Sequence, residues 1–191
     1  MRIPPEGKTI RVVGFDDAPF PRKPRVRVPL VGAVCAGTRF EGMVLGRVVR
    51  DGFGATDEIV RLLVDGKFLP QIHLVLLDGI AFGGFNVVDL ARLSRTLDRP
   101  CVAVMRKHPD LPAVERVLGS LSSGARRLST LRRAGPIHAA PPFHFQVQGA
   151  TPQEIARVLP RVTDRGHVPE ALRLAHLIGA AIVTGQSGRR A

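Results

Sequence analysis

The stretch VGFDDAPF, Val13–Phe20, decides the fold, because an apolar strand-like run ends in it at two adjacent aspartates. That run, Thr9–Phe15, is rich in the β-branched and aromatic residues that favour strands. A second run, IHLVLLD at residues 72–78, is nearly all apolar and also ends in an aspartate, Asp78. Such a run is typical of a strand that is buried on both faces of a sheet. Two predicted strands therefore each carry an aspartate at their carboxyl end.

Between these strands, the sequence predicts a hairpin and a helix. Two β-rich runs begin at Leu30 and Arg39 and are joined by Gly37-Thr38, which favours a tight turn. The segment TDEIVRLLVDG is amphipathic and predicts a helix with Thr56 as its N-cap. These elements would link three strands by antiparallel connections before the Asp78 strand begins.

After Asp78, a glycine-rich turn and a helix precede another buried strand, CVAVM from Cys101. The later segments predict helices and one further strand, FHFQVQ, in which apolar and polar residues alternate. Thr151 and Glu154 form a predicted capping box, and the last helix begins near Pro169. Buried strands that are separated by helices imply parallel pairing with right-handed crossovers. We therefore expect residues 1–191 to form a single α/β domain with a ribonuclease H-like mixed sheet, three strands with antiparallel links plus parallel strands, flanked by helices.

The composition points to a polyanionic partner. The chain of 191 residues has 28 basic and 16 acidic residues, a formal net charge of +12. Such a surplus attracts nucleic acid first and anionic membranes second, although a basic surface without such a partner is an alternative. No apolar run is long enough to span a membrane. Cys35 and Cys101 lie in apolar, strand-like runs and are interpreted as reduced, buried side chains of a cytoplasmic protein.

Asp16 and Asp78 are the strongest candidates for a functional site. If their strands are parallel neighbours, both carboxylates project from the carboxyl edge of the sheet, where open α/β sheets bind ligands. Two close carboxylates repel each other, and a divalent cation relieves the repulsion. Mg²⁺, or Mn²⁺ in its place, suits such a pair. The alternative is that both are turn residues, since strand ends favour turns and turns favour aspartate.

Three further residues are weaker candidates. Asp57, at the start of the predicted helix, is a third candidate ligand, but acidic residues also favour helix N-termini without any ligand. In the last helix, LRLAHLIGAAIV, Arg173 and His176 are the only polar residues and share one face. Because a helix that is apolar all round is buried, this pair needs buried partners, such as a metal site or a phosphate. A core histidine with a packed arginine is the alternative.

The segments VGFDDAPF, FEGMVLGRVVRDGFGATDEIV, LVLLDGIAFGGFNVVDL, VMRKHPDL and PEALRLAHLIGAAI carry a resemblance. The chain resembles endonuclease V and, more closely, a related archaeal family of small proteins described as endonuclease dU. The resemblance implies a ribonuclease H-like fold and a metal-dependent endonuclease that cuts DNA near a deaminated base, with deoxyuridine favoured and hypoxanthine as a further substrate.

Residue by residue, the resemblance makes Asp16 and Asp78 metal ligands. Asp57 stands where endonuclease V has a glutamate, which is a departure. His176 matches a terminal-helix position that is acidic or histidine in the relatives, and Lys107 lies near a lysine after the next strand. The Pro-Tyr-Ile-Pro wedge of endonuclease V is absent.

These residues suggest a mechanism and a nucleic-acid surface. His176 would assist proton transfer or orient a ligand. Lys107 and Arg173 would contact phosphates of DNA or RNA, while further basic residues would grip the backbone without reading sequence. Those residues are Arg22, Lys23, Arg25, Arg27, Arg126, Arg127, Arg132 and Arg133. The glycine-rich turn Gly79–Asn86 would line a pocket for a flipped base. The alternatives are a non-catalytic nucleic-acid-binding module and a phosphatase-like enzyme.

Overall fold

The computed structural model describes residues 3–121 and 123–188. Its strands are β1 Arg11–Asp17, β2 Arg27–Ala36, β3 Arg39–Val49, β4 Leu74–Asp78, β5 Ala81–Phe82, β6 Asn86–Val87, β7 Cys101–Met105, β8 His138–Ala140 and β9 Phe143–Gln148. Its α-helices are α1 Ala55–Val64, α2 Leu90–Leu97, α3 Leu111–Ser120, α4 Gly124–Arg133, α5 Pro152–Arg161 and α6 Glu170–Thr184, with a short 3₁₀ helix at Leu69–Gln71.

Seven of the strands form one mixed sheet in the order β3-β2-β1-β4-β7-β9-β8. β1 lies antiparallel to β2 and parallel to β4, and β4 lies parallel to β7. The predicted mixed α/β sheet is therefore confirmed. The parallel register pairs Phe15 with Leu77, so the next residue of each strand, Asp16 and Asp78, lies at the same edge.

Helices cover both faces of the sheet, and the apolar side chains of the central strands divide between two cores. Val13, Phe15, Val75 and Leu77 face the core that α1 and α2 cover. The alternate residues of β1 and β4 face a second core, which α5 and the start of α6 cover. Burial on both faces explains why β4 is a nearly continuous apolar run.

The helix α6 lies very close to β1, and a glycine makes the approach possible. A Cβ atom added to Gly14 would come within 2.6 Å of the backbone carbon of Ala171. Further along, Gly179 faces the backbone of Ala18. The helix thus runs along β1 towards the strand's carboxyl end and carries His176 to Asp16.

Several local predictions are confirmed and others are wrong. Thr151 forms the predicted capping box with Glu154. Thr56 is not an N-cap, because α1 begins one residue earlier, at Ala55 after Gly54; the Thr56 hydroxyl instead accepts a hydrogen bond from the Asp89 backbone N–H. The last helix is not buried all round, since Ile182 and Val183 near its end are exposed.

The structure also contains strands that the sequence did not predict. The glycine-rich turn forms a small two-stranded sheet, β5 with β6. The strand β8 pairs with β9 at the edge of the main sheet. Cys35 and Cys101 are free and buried, as predicted. Within residues 3–121 and 123–188, none of the helices has both the length and the apolarity to cross a membrane.

Candidate metal centre

Three side chains from distant parts of the chain meet at the carboxyl edge of the sheet. Asp16 comes from β1, Asp78 from β4 and His176 from α6, and one ligand atom of each lies within 4.8 Å of the others. His176 Nδ1 is 2.8 Å from Asp16 Oδ2. The other oxygen of Asp16 accepts a hydrogen bond from the Asp17 backbone N–H at 2.8 Å. The predicted convergence of Asp16 and Asp78 is therefore present in the fold.

The surroundings of Asp16 oppose the ionisation of its carboxyl group. Burial and, next, repulsion from Asp78 together raise its pKa to about 7, although the hydrogen bond with His176 acts in the opposite direction. A buried carboxylate beside a second carboxylate is costly to ionise. At this position the fold therefore favours either a bound proton or a bound cation.

Asp78 has a cationic neighbour that sequence reasoning missed. Arg106 Nη2 lies 3.6 Å from Asp78 Oδ2, and the Arg106 side chain is 47% exposed. Burial raises the pKa of Asp78, and the charge of Arg106 counteracts this rise. Arg106 directly follows β7, the parallel neighbour of β4, so the rule that predicted Asp78 beside Asp16 also predicts Arg106 there.

The donor set fits a divalent metal ion. Two carboxylates supply the oxygen ligands that Mg²⁺ prefers, and an imidazole nitrogen is well tolerated by Mn²⁺. Burial raises the pKa of both Asp16 and Asp78, so ionisation of the two carboxyl groups at this edge is costly without a bound cation. The residues present therefore match a cation in charge and in ligand type.

The contacts of Asp17 explain why the sequence has two adjacent aspartates at the end of β1. Successive side chains of a strand point to opposite faces, so Asp17 turns away from the metal centre. Its Oδ2 accepts a hydrogen bond of 2.6 Å from the Gly83 backbone N–H. Asp16 thus belongs to the cluster with Asp78 and His176, and Asp17 ties the carboxyl end of β1 to the glycine-rich hairpin β5–β6.

The family model for Endonuclease dU matches residues 8–183. The chain belongs to the Endonuclease dU family. A relative from Methanothermobacter thermautotrophicus, named UPF0215 protein, is 38% identical over 183 residues, which cover 93% of this chain and 90% of the relative. A UPF0215 protein from Deinococcus radiodurans is 39% identical over 176 residues, covering 92% of this chain and 90% of the relative.

Solved structures show the same fold. A protein of unknown function from Archaeoglobus fulgidus matches with a TM-score of 0.87 and 33% identity, over 92% of this chain and 99% of that one. Endonuclease V from Ciona intestinalis, in complex with DNA that contains an inosine, matches with a TM-score of 0.56 and 13% identity, over 89% and 84%. The catalytic domain of human endonuclease V gives 0.55 and 17%, over 89% and 80%. At these low identities the two endonuclease V structures show the fold alone.

In this Endonuclease dU family member, Asp57 lies outside the group that contains Asp16. Its side chain is 61% exposed and pairs with Arg92 across the α1–α2 contact. The neighbouring Glu58 accepts hydrogen bonds from Arg61 and from the Arg47 backbone N–H. The third side chain that the structure brings to the two aspartates is His176, and a role for Asp57 stays a prediction.

The predicted phosphate-binding residues occupy two kinds of position. Lys107 is exposed just after β7, and the exposed side chains of Arg22, Lys23 and Arg25 lie in the loop after β1. Both segments follow carboxyl ends of strands, so they lie at the same edge of the sheet as the metal centre. Arg173 differs, because its guanidinium makes two hydrogen bonds to Glu170, at 2.8 and 2.6 Å. Phosphate contact by these residues stays a prediction.

The prediction that Arg127 grips a nucleic-acid backbone is wrong. Arg127 is 3% exposed, and its guanidinium donates to the backbone carbonyls of Asp51, Gly52 and Phe85. A buried group with its donors so used cannot contact a phosphate. Arg127 instead fixes the β3–α1 loop against the glycine-rich hairpin.

The other arginines of α4 have partners of their own. Arg126 lies over the Phe53 ring at 4.4 Å, and Arg132 pairs with Glu115 at 3.2 Å. Arg133 pairs with Asp89, the N-cap of α2, at 2.9 Å. These pairs lie at the protein surface and are open to exchange for phosphates, so backbone contact by Arg126, Arg132 and Arg133 stays a prediction.

Proposed function

We propose that this protein is a metal-dependent endonuclease that cleaves DNA near a deaminated base, with deoxyuridine as the favoured lesion and hypoxanthine as a further one. The observation that carries the proposal is the convergence of Asp16, Asp78 and His176 at one sheet edge. Membership of the Endonuclease dU family and the endonuclease V-like fold support a nuclease. We place the enzyme in cytoplasmic DNA repair and assign the activity to a single domain, residues 1–191.

The side chains of this centre have separate roles in the proposed reaction. Asp16 and Asp78 would hold Mg²⁺ or Mn²⁺, and His176 would orient the Asp16 carboxylate through its Nδ1 contact. Such an ion, when bound, lowers the pKa of a water and stabilises charge on a phosphate. His176 shares a proton with Asp16 through Nδ1, which leaves Nε2 as the nitrogen available for proton transfer. Lys107 would neutralise a neighbouring phosphate, and Asp57 would serve a second ion.

Binding of the DNA would depend on the basic surface around the centre. The net charge of +12 favours any polyanion, DNA or RNA, without regard to sequence. The loop that carries Arg22, Lys23 and Arg25 follows Asp17 directly, so a backbone lying along it passes the metal centre. These residues would position the substrate, while the base would be recognised elsewhere.

One observation favours a second candidate, a non-catalytic nucleic-acid-binding module. Arg106 lies 3.6 Å from Asp78 and neutralises part of the charge that an ion would otherwise balance. If Arg106 stayed there permanently, the centre would be an ion pair rather than a metal site. Because about half of its side chain is exposed, Arg106 is free to turn from Asp78 to a phosphate, which favours the nuclease.

Cleavage assays on a set of duplexes test the two candidates. The duplexes carry uracil, hypoxanthine or no lesion, and each is incubated with Mg²⁺, with Mn²⁺ and with a chelator. We expect cleavage of the uracil and hypoxanthine duplexes only when a metal is present. Asp16→Asn and Asp78→Asn should each reduce the rate by ~10³-fold or more, since each removes a ligand from the ion.

Asp164→Asn is the matched control, because Asp164 lies on the surface, outside the cluster of Asp16, Asp78 and His176, and forms an ion pair with its neighbour Arg165 at 3.7 Å. It should cleave at the wild-type rate. Undiminished cleavage by Asp16→Asn or Asp78→Asn would refute the assignment of the centre. Tight DNA binding by the wild type without cleavage in either metal would favour the binding module.

A further inference from the structure

A cavity of about 310 Å³ lies between the glycine-rich hairpin and the α3–α4 pair. Its walls include Ile80 and Phe85 from the hairpin region, Val114 and Leu118 from α3, and Leu131 from α4. Leu111, which also lines it, is 37% exposed, so the cavity reaches the surface. Its volume lies at the small end of the range for small-molecule pockets, about 300–1,000 Å³.

The cavity lies close to the metal centre along two strands. Ile80 and Ala81 line it, and they are the second and third residues after Asp78. Met105 lines it as well and directly precedes Arg106, whose guanidinium contacts Asp78. The side chain of Asp78 faces α6, whereas the cavity lies on the face that α3 and α4 cover. A nucleic-acid strand bound at the metal centre would therefore pass the edge of the sheet and place one base in the cavity.

Gln146 is the one lining residue with a polar side chain. It is 4% exposed and lies in β9 beside Ala103. Its Nε2 donates a hydrogen bond of 2.7 Å to the Gly135 carbonyl, which fixes the orientation of the amide. Its Oε1 makes no hydrogen bond to the described residues, so it is free to accept one from a bound molecule. An accessible acceptor in an otherwise apolar wall fixes the orientation of a bound molecule that brings a donor.

We infer that this cavity receives the flipped base and that Gln146 Oε1 accepts a hydrogen bond from the ring N–H that deamination creates. Cytosine has an unprotonated N3 and adenine an unprotonated N1, whereas uracil and hypoxanthine carry a hydrogen on these atoms. Because Gly135 fixes the amide, Oε1 would face the N3 lone pair of cytosine and repel it. The inference rests on the proposed function and adds the residue that reads the lesion.

The amide does not separate uracil from thymine, because both carry the N3–H. Gln146 thus discriminates between a deaminated base and its parent, cytosine or adenine, and not between uracil and thymine.

Binding measurements test the inference without depending on cleavage. Dissociation constants are measured in Ca²⁺ for duplexes that differ at one pair, G·U or G·C. Wild type should bind G·U at least ~10-fold more tightly than G·C, a typical effect of one hydrogen-bond mismatch. Gln146→Leu should reduce this ratio to within ~2-fold, because it removes both the hydrogen bond to uracil and the repulsion of cytosine.

Gln148→Leu is the matched control, because Gln148 lies two residues along the same strand, bonds the Ala134 carbonyl at 3.2 Å and does not line the cavity. It should keep the wild-type ratio. Val114→Phe, which fills the cavity from α3, should lose the preference without removing the amide. Melting temperatures of all three variants show whether each is folded.

A wild-type protein without preference for G·U over G·C, or a folded Gln146→Leu that keeps the preference, would overturn the inference. Failure of the proposed function has a different signature: the binding preference and its dependence on Gln146 would be present, and no duplex would be cut in any metal. The two hypotheses are therefore separable in one set of variants.

Discussion

His176 and Asp16 stand 160 positions apart in the chain, and their side chains meet at 2.8 Å between Nδ1 and Oδ2. The contact joins α6 to the central strand β1 at the point where the strand ends. Burial and repulsion from Asp78 raise the pKa of Asp16 to about 7. The Asp16 carboxyl group of the metal-free protein therefore titrates near neutral pH. The charge of one carboxylate therefore links stability, pH and metal binding.

Asp16→Asn should stabilise the metal-free protein at pH 8. The folded protein binds the Asp16 proton more tightly than the unfolded chain, because the pKa rises from 3.8 to about 7. The destabilisation due to the ionised carboxylate is absent below pH ~4 and grows as the pH rises to ~7. We expect the variant to exceed wild type by ~1–4 kcal/mol in free energy of unfolding at pH 8 and to match it at pH 4.

Urea unfolding in a chelating buffer at both pH values measures this difference. Addition of Mn²⁺ should then reverse the order, since an ion that binds only the folded wild type raises its stability. Equal stability of the two proteins at pH 8, or a larger difference at pH 4, would show that Asp16 is not a strained carboxylate.

Gly14→Ala should loosen α6 from β1. The added methyl group would lie 2.6 Å from the Ala171 backbone carbon, and neither backbone can yield easily. We expect a loss of ~2–4 kcal/mol in free energy of unfolding, with weaker metal binding because His176 moves away from Asp16. Denaturant unfolding and metal titration calorimetry measure the two effects.

Gly119→Ala in α3 is the control, because an added Cβ meets nothing within 4 Å there. Alanine favours a helix over glycine, so this variant should be neutral or stabilised by up to ~1 kcal/mol. A Gly14→Ala protein as stable as Gly119→Ala would mean that the close approach of α6 is not required.

The sequence predicted the part of the centre that comes from neighbouring strands. Asp16 and Asp78 each end an apolar run, and adjacent parallel strands bring their carboxyl ends together wherever the helices pack. Arg106 follows the same rule, whereas the resemblance points to its neighbour Lys107. Strand periodicity alone was enough for these positions.

Other contacts depend on side-chain packing that no periodic pattern reveals. Arg127 looks like one of many basic residues in α4, but the structure buries it among three backbone carbonyls. Thr56 looks like a helix cap, but its hydroxyl accepts a hydrogen bond from α2's leading residue, Asp89. Both roles are set by loops that approach from distant positions, so the local sequence carried no signal for them.

Arg106→Ala should tighten metal binding. The guanidinium lies 3.6 Å from Asp78 and repels an incoming cation while it occupies that place. Its partial exposure limits the effect, so we expect the dissociation constant for Mn²⁺ to fall by ~2–10-fold. Calorimetric titration of the metal into the DNA-free protein measures it.

Arg116→Ala is the matched control, an exposed arginine of α3, and it should leave the constant unchanged. Weaker binding of Mn²⁺ by Arg106→Ala would contradict the competition between Arg106 and the ion. The same variant should bind DNA less tightly, since the arginine is then lost as a phosphate contact.

Arg127→Leu should destabilise the protein by ~2–4 kcal/mol, because it leaves the partly buried carbonyls of Asp51, Gly52 and Phe85 without the guanidinium donors. Arg126→Leu is the matched control: Arg126 also stacks on Phe53, but it is exposed, and within the described part of the chain its side chain makes no such bonds. It should cost ~0.5 kcal/mol or less. Similar losses for the two variants, measured by urea unfolding, would mean that stacking on Phe53 matters and the carbonyl contacts do not.

Neutralising the loop after β1 should change how DNA binding depends on salt. Replacement of Arg22, Lys23 and Arg25 by glutamine removes up to three phosphate contacts beside the metal centre. Each lost contact lowers the slope of log K against log salt by ~0.9, so we expect a decrease of ~2–3. The control replaces Lys67, Arg157 and Arg165, which are exposed elsewhere, and removes the same charge. Both variants lose the same charge, so the long-range attraction to DNA falls equally in both. Fluorescence anisotropy between 50 and 300 mM salt measures the slope of log K against log salt. Equal slopes for the loop variant and the control variant would refute direct contact by the loop.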